Sequence, residues 1–198
     1  MMGKLFIYPT DTVWGIGGDI FSKDSYERIA SIKGHELKKP LSIVFKDYEM
    51  ISELINLPIE ISREWLEEFF TYESTIGFPK VWAKKKLPSW ICQDSNYITV
   101  RCLNSEELDF AFKSIGGPLT STSLNRTTKP PITNENEALD FHEKYASGES
   151  FCKQTSTICS GRSSTIVLID TDRITIVREG KYINEIREHF KLLSTPLL

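Results

Sequence analysis

The chain of 198 residues is 40% hydrophobic and 26% charged, ordinary globular usage that excludes long disorder. That length buries one core without staples, so residues 1–198 read as a single domain. Its 24 basic and 27 acidic side chains leave a net charge of −3, which argues against gripping nucleic acid over a wide surface but leaves room for a local basic site.

Leu5 to Tyr8 has the length and composition of a buried strand, and Pro9, which cannot donate to a ladder, ends it. Thr10, Asp11 and Thr12 follow on a turn at the strand's carboxyl end, where open α/β sheets hold their ligands. Gly15, Gly17 and Gly18 read as a loop in which the backbone bends or comes close to something bulky. A helix starts at Ser22 as N-cap, carries Tyr26, Ile29 and Ala30 at helical spacing, and leaves through Gly34 with Lys33 in its last turn. Leu41 to Phe45 predicts a strand and Met50 to Ile55 a short helix. Residues 60–70 form a helix whose apolar face is Ile61, Trp65, Leu66, Phe69 and Phe70.

Lys80 to Ala83 reads as a strand, and the Lys84-Lys85-Lys86 run beside Trp82 and Trp90 as a solvated loop. Tyr97 to Leu103 is a strand that carries Arg101. From Ser105 a helix presents Leu108, Ala111, Phe112 and Ile115, and Gly116-Gly117 stops it. Leu119 to Ser123 is extended and hydroxyl-rich and runs into Leu124-Asn125. A helix over 135–146 follows, then a polar segment over 147–163 that reads as the mobile part of the chain. Ser164–Asp170 and Arg173–Arg178 make an antiparallel hairpin, and 182–192 the last helix. Strands alternating with helices, plus one hairpin, give an α/β fold with a mixed sheet.

Cys92, Cys102, Cys152 and Cys159 lack paired zinc-ligand spacing and read as inert thiols; no metal ligands are assigned. No run has the length of a signal-peptide core or a membrane span, so a soluble cytoplasmic protein with no membrane partner is expected. His142 and His189 fall on helix surfaces and read as solvated. No HExxH, Walker loop or Gly-x-Ser-x-Gly occurs. Polar groups instead gather just after strands and helices: Thr10 and Thr12, Lys33, Ser121 to Ser123 with Asn125, Ser164 with Thr165, and Arg178 before Gly180. Hydroxyls, an amide and cations without a nucleophile–base pair suit phosphate and carboxylate binding rather than hydrolysis.

The order of these blocks is more specific than any one of them. Tyr8-Pro-Thr-Asp-Thr-Val-Trp-Gly-Ile-Gly, Ile32-Lys33-Gly34, Pro40-Leu41, Val100-Arg101, Ser121-Thr122-Ser123-Leu124-Asn125, Ser164-Thr165-Ile166-Val167 and Val177-Arg178-Glu179-Gly180 together resemble the YrdC/TsaC family, the threonylcarbamoyl-AMP synthases of tRNA modification. The resemblance covers roughly residues 5–182 and implies an open, twisted mixed sheet with flanking helices around a concave, positive cavity. It implies condensation of L-threonine, bicarbonate and ATP, with Mg²⁺, into threonylcarbamoyl-AMP and pyrophosphate. Partner proteins of tRNA modification would receive the product, and weak RNA binding would accompany that role.

Carried over by position, Lys33, His35, Ser123, Asn125 and Arg178 look like ATP-site residues, of which Lys33, Ser123, Asn125 and Arg178 would carry the catalysis. Thr10, Arg101 and Ser164, with Thr12 nearby, look like the threonine site. Where the family usually has Lys-x-Arg, this chain has Lys33-Gly34-His35, with Lys38 and Lys39 on the same loop as substitute charges. That departure keeps an alternative in view: a non-catalytic nucleotide- or RNA-binding paralogue acting as a translation or ribosome-assembly factor.

Overall fold

The computed structural model describes residues 3–34 and 39–193. Across them nine strands join in one mixed sheet: β1 (Leu5–Tyr8), β2 (Gly15–Gly18), β3 (Ser42–Phe45), β4 (Ser74–Pro79), β5 (Tyr97–Cys102), β6 (Leu119–Ser123), β7 (Ser150–Phe151), β8 (Thr165–Ile169) and β9 (Ile174–Arg178). Their order is β7-β1-β2-β6-β3-β5-β4-β8-β9, an open sheet with β7 and β9 at its edges. Pairs β1–β7, β3–β5 and β4–β8 are parallel, and the others antiparallel. The described helices are α1 (Lys23–Lys33), α2 (Tyr48–Leu54), α3 (Arg63–Thr71), α4 (Ser89–Cys92), α5 (Glu106–Ile115), α6 (Glu135–Tyr145) and α7 (Ile183–Phe190).

The period of two along the strands assigns residues to faces. Leu5 and Ile7 of β1 pack with Ile29 and Ile32 of α1 and Ala138 and Phe141 of α6. Phe6 and Tyr8 point the other way, onto Leu108, Ala111 and Phe112 of α5. Ile43, Ile76, Ile98, Val100 and Val167 share a core with α2, α3 and α7. The alternate residues Ser42, Thr75, Arg101 and Ile166 therefore face away from that core, and it is on their side that a polar hollow opens.

Local chemistry explains the helix ends. Ser22 accepts from the Ser25 amide to start α1, and Gly34, at φ 93°, closes it in the left-handed region that favours glycine. Ser62 accepts from the Trp65 amide at the start of α3. That helix buries Trp65, Leu66, Phe69 and Phe70, each worth roughly 1.5–3 kcal/mol when removed from water.

Four expectations need correction. Gly15–Gly18 is not a loop but β2, held between β1 and β6. Its glycines serve close approach, since a Cβ on Gly17 would stand 1.7 Å from the Thr120 carbonyl oxygen. The strand expected at 80–83 is a short 3₁₀ turn, Lys80–Trp82, and the strand lies before it as β4. His189 is buried rather than solvated: it stacks on Trp65 with ring centroids 4.7 Å apart and its Nε2 lies 2.9 Å from the Trp65 carbonyl oxygen. His142, also expected in solvent, is half-buried with Nε2 2.9 Å from the Glu149 carbonyl oxygen.

The segment 147–163 contains β7 and is stitched to the body of the protein by side-chain carboxylates of Glu135, Glu107 and Glu73. All four cysteines are free, and burial pushes their thiols up, to about 12 at Cys102 and about 11 at Cys152. No described helix is long and apolar enough to cross a membrane.

Candidate functional site

The hollow, about 330 Å³, collects residues from nearly every strand. Thr10, Thr12 and Trp14 come from the segment joining β1 to β2, Ser42 from β3, Thr75 from β4 and Arg101 from β5. Ser121 to Ser123 come from β6, Ser164 precedes β8, and Arg178 ends β9.

The turn after β1 is built by its own hydroxyls. The Thr10 Oγ1 donates to the Val13 carbonyl oxygen at 2.6 Å and accepts from the amides of Thr12 and Val13, both at 3.2 Å. With that proton committed, the 2.9 Å contact between the two threonine hydroxyls has Thr12 as donor. Arg101 Nη1 donates to Thr12 Oγ1 at 3.0 Å, completing a directed chain from guanidinium to Thr12, Thr10 and the Val13 carbonyl. Arg101 Nη2 pairs with the Asp11 carboxylate. Arg101 is 8% exposed, and its Nε is buried without a hydrogen-bond partner.

Across the hollow, Arg178 Nε donates to the Ser164 carbonyl oxygen at 2.8 Å and Nη2 to Ser164 Oγ at 3.0 Å. Ser164 Oγ also contacts Thr75 Oγ1 at 2.8 Å. Burial, and then repulsion from Arg101, pull the Arg178 pKa below the ordinary arginine value, which marks two guanidiniums facing one space. Among the described residues Arg178 has no carboxylate partner.

At the edge of the hollow, beside Ser123, Lys33 is 6% exposed. Its Nζ donates to the Ser123 carbonyl oxygen at 2.6 Å and to Asn125 Oδ1 at 2.8 Å. The Ser123 hydroxyl donates to the same Asn125 oxygen at 2.8 Å, and Asn125 Nδ2 donates to the Lys129 carbonyl oxygen at 2.6 Å. Burial lowers the Lys33 ammonium to about 8, so it is charged at neutral pH without an acidic neighbour.

Thr10, Thr12, Arg101, Ser123, Ser164 and Arg178 thus line one hollow, while Lys33 and Asn125 brace its rim through Ser123. His35 and Lys38 lie outside the described residues; Lys39 lines the hollow. The sequence alone places Asp11 on the ligand-side turn without a role of its own and gives Thr75 and Ser42 no part here. Asp11 stood in plain view between two threonines, whereas Thr75 belongs to the strand whose position was misread. Arg178, with no carboxylate partner among the described residues, and the ring of hydroxyls form a donor set for anions such as phosphate and carboxylate, while Arg101 and the Lys33 ammonium, whose three protons go to Ser123 and Asn125, add positive charge beside it. Among the described residues no group of three His, Cys, Asp or Glu side chains could hold a metal ion.

Known proteins are similar to this chain in sequence and fold. A Vibrio parahaemolyticus protein named threonylcarbamoyl-AMP synthase is 27% identical over 186 residues, 90% of this chain and 93% of that one. Sua5 of P. abyssi, in a crystal structure complexed with L-threonine, superposes with a TM-score of 0.79 at 21% identity over 96% of this chain; the chain spans 54% of that protein. E. coli YciO superposes with a TM-score of 0.69 at 19% identity, over 99% of this chain and 87% of that one. A family model for Sua5, YciO and YrdC, described as telomere recombination, matches residues 1–180. The chain therefore belongs to the Sua5/YciO/YrdC family.

Proposed function

We propose that this protein is an L-threonylcarbamoyladenylate synthase, a nucleotidyltransferase that joins L-threonine, bicarbonate and ATP into threonylcarbamoyl-AMP with release of pyrophosphate. The observation that carries the reading is the hydroxyl-ringed hollow shared by the guanidiniums of Arg101 and Arg178, the latter without a carboxylate partner among the described residues. In support, relatives matched over nine-tenths of the chain bear the synthase name. The alternative of a non-catalytic paralogue is not favoured by those relatives.

The amino-acid side is assigned to Arg101, Thr10, Thr12 and Ser164. Arg101 lines the hollow, and Thr12 through the directed hydroxyl chain and Asp11 through its carboxylate fix the plane of a guanidinium that would meet threonine's carboxylate. The nucleotide side is assigned to Lys33, Ser123, Asn125 and Arg178, with His35 at the same site. Threonine's amine and bicarbonate form a carbamate with loss of water. A carbamate oxygen then attacks the α-phosphorus, the bond to the β-phosphate oxygen breaks, and pyrophosphate leaves. Both partners are anions, so catalysis is mostly placement and charge neutralisation by Lys33 and Arg178. Mg²⁺ bound to the triphosphate adds charge neutralisation at the leaving group. Given the donor set, it would be held by phosphate oxygens and water rather than by a protein cage.

We read residues 1–198 as one working unit in the cytoplasm that passes its product to a tRNA-modification partner and touches RNA only weakly. The test is pyrophosphate release from ATP, Mg²⁺ and bicarbonate with and without L-threonine. Release that depends on threonine supports the reading, and nucleotide binding without threonine-dependent release overturns it.

A further inference from the structure

Glu107 is a second, separate anion arrangement, and its ligands belong to the chain itself. It lies in the first turn of α5, is 6% exposed, and has no basic partner among the described residues. Its Oε1 instead accepts the amides of Thr155, Ser156 and Thr157 at 3.1, 3.0 and 2.9 Å, and its Oε2 accepts the Thr157 hydroxyl at 3.0 Å. Burial alone would raise this carboxyl. The donated amides, with its own at the helix start, hold it well below the usual carboxylate range.

The segment it captures goes straight to the hollow. Three residues after Thr157, the amide of Ser160 donates to the Asp11 carbonyl oxygen at 2.9 Å, and the Gly161 amide donates to the Thr12 carbonyl oxygen at 2.9 Å. Ser160 Oγ donates to Glu73 Oε2 at 2.6 Å. The chain then continues into Ser163 and Ser164, which line the hollow. Asp11 and Thr12 are the two residues that hold Arg101. The backbone of the Arg101 clamp is therefore pinned from outside by a segment whose own anchor is Glu107.

We propose that Glu107 is a positioning residue for the amino-acid side of the hollow, fixing residues 155–161 so that the Ser160 and Gly161 amides set the Asp11–Thr12 turn that aims Arg101. The assignment of that side to threonine rests on the function proposed above. Glu107 touches neither substrate, so its removal acts on the aim of the clamp rather than on charge in the hollow. Misplacement of a binding group by about an ångström from a distant change costs on the order of tenfold to a hundredfold.

The experiment compares the full-length wild type with Glu107→Gln and Glu107→Ala. The glutamine keeps the size and one acceptor but loses the charge that strengthens the three amide bonds. The first readout needs no activity: amide hydrogen exchange at Thr12, Val13, Ser160 and Gly161. Faster exchange at both pairs in Glu107→Gln supports the coupling, and unchanged exchange at Thr12 and Val13 overturns it. The second readout is the kinetic split. The proposal expects KM for threonine to rise about tenfold in Glu107→Ala and at least threefold in Glu107→Gln, with KM for ATP within twofold. Equal rises in both KM values, or a lower melting temperature with both unchanged, would make Glu107 merely structural and overturn the proposal. If the alanine variant does not fold, the glutamine variant decides. A wild type that releases no pyrophosphate with threonine would sink the functional reading instead, and the exchange result alone then decides the coupling.

Discussion

The Lys33 ammonium at the end of α1 donates a 2.6 Å hydrogen bond to the Ser123 carbonyl oxygen at the end of β6, 90 positions along the chain. Burial lowers it to about 8, against an ordinary lysine value of 10.5. Below pH 8 both folded and unfolded chains keep this proton, and the buried charge costs stability. Between 8 and 10.5 the unfolded chain holds more protons, so stability rises with pH across that window, by about 3 kcal/mol from this group. A nucleotide held by the ammonium behaves oppositely, because it binds the charged form. ATP affinity is expected to fall above pH 8 in the wild type, and the pH dependence between 7.5 and 9 should vanish in Lys33→Met; titration calorimetry at a series of pH values checks both.

Arg178 presents a two-donor fork to the carbonyl and hydroxyl oxygens of Ser164, and lysine cannot reproduce it. Arg178→Lys keeps the charge while losing paired donors worth about 1.5–3 kcal/mol each when they meet an anion. Threonine-dependent pyrophosphate release should drop by about tenfold to a hundredfold, with the melting temperature nearly unchanged because Arg178 lies at the sheet's edge. A steady-state assay beside a thermal melt separates the two effects.

Thr12 relays between Arg101 and Thr10. Thr12→Val keeps the shape but leaves Arg101 Nη1 without its acceptor, an unmade hydrogen bond to a charged group costing about 1.5–3 kcal/mol. Threonine's KM is expected to rise by about tenfold or more, with ATP binding little changed; the ratio of the two constants is the check.

Gly17 has no room for a methyl group, because its Cβ would meet the Thr120 carbonyl oxygen and carbon of β6 at 1.7 and 2.9 Å. Backbone cannot rotate away as a side chain can, so Gly17→Ala must push β2 from β6. Overpacking of this kind costs about 1–3 kcal/mol or more, a fall of roughly 2–4 °C in melting temperature for each kcal/mol at this chain length. Differential scanning calorimetry reads the shift, and activity should fall as well, since Ser121 to Ser123 ride on the displaced strand.

The residues that follow local rules were legible from the letters. Ser22 and Gly34 bracket α1 because capping is settled within one turn, and the Ile166–Leu168 and Ile174–Ile176 runs form their hairpin as the short turn between them dictates. What the letters hid was set by distant neighbours. Gly15-Ile16-Gly17-Gly18 carries almost no side-chain pattern and is a strand only because β1 and β6 flank it. Ser74–Pro79 is masked by Gly77 and Pro79, and one of its two partners, β8, is remote in sequence. His189 looked exposed on a polar helix until Trp65 covered it. At the site, the motif residues Thr10, Thr12, Arg101, Ser123, Ser164 and Arg178 converge, whereas the pairing of Asp11 with Arg101 and the grip of Glu107 on 155–157 arise only on folding.

The central claim is that one hollow holds an amino acid and a nucleotide and lets them react. Its most direct measurement is mass spectrometry of the adduct formed by the purified wild type from ATP, Mg²⁺, bicarbonate labelled with carbon-13, and L-threonine. The account predicts threonylcarbamoyl-AMP carrying the labelled carbon, formed only when all three substrates are present and, at limiting threonine, reduced in Arg178→Lys and Thr12→Val in step with pyrophosphate release. ATP that binds and stays intact, with no adduct at any threonine concentration, would contradict it.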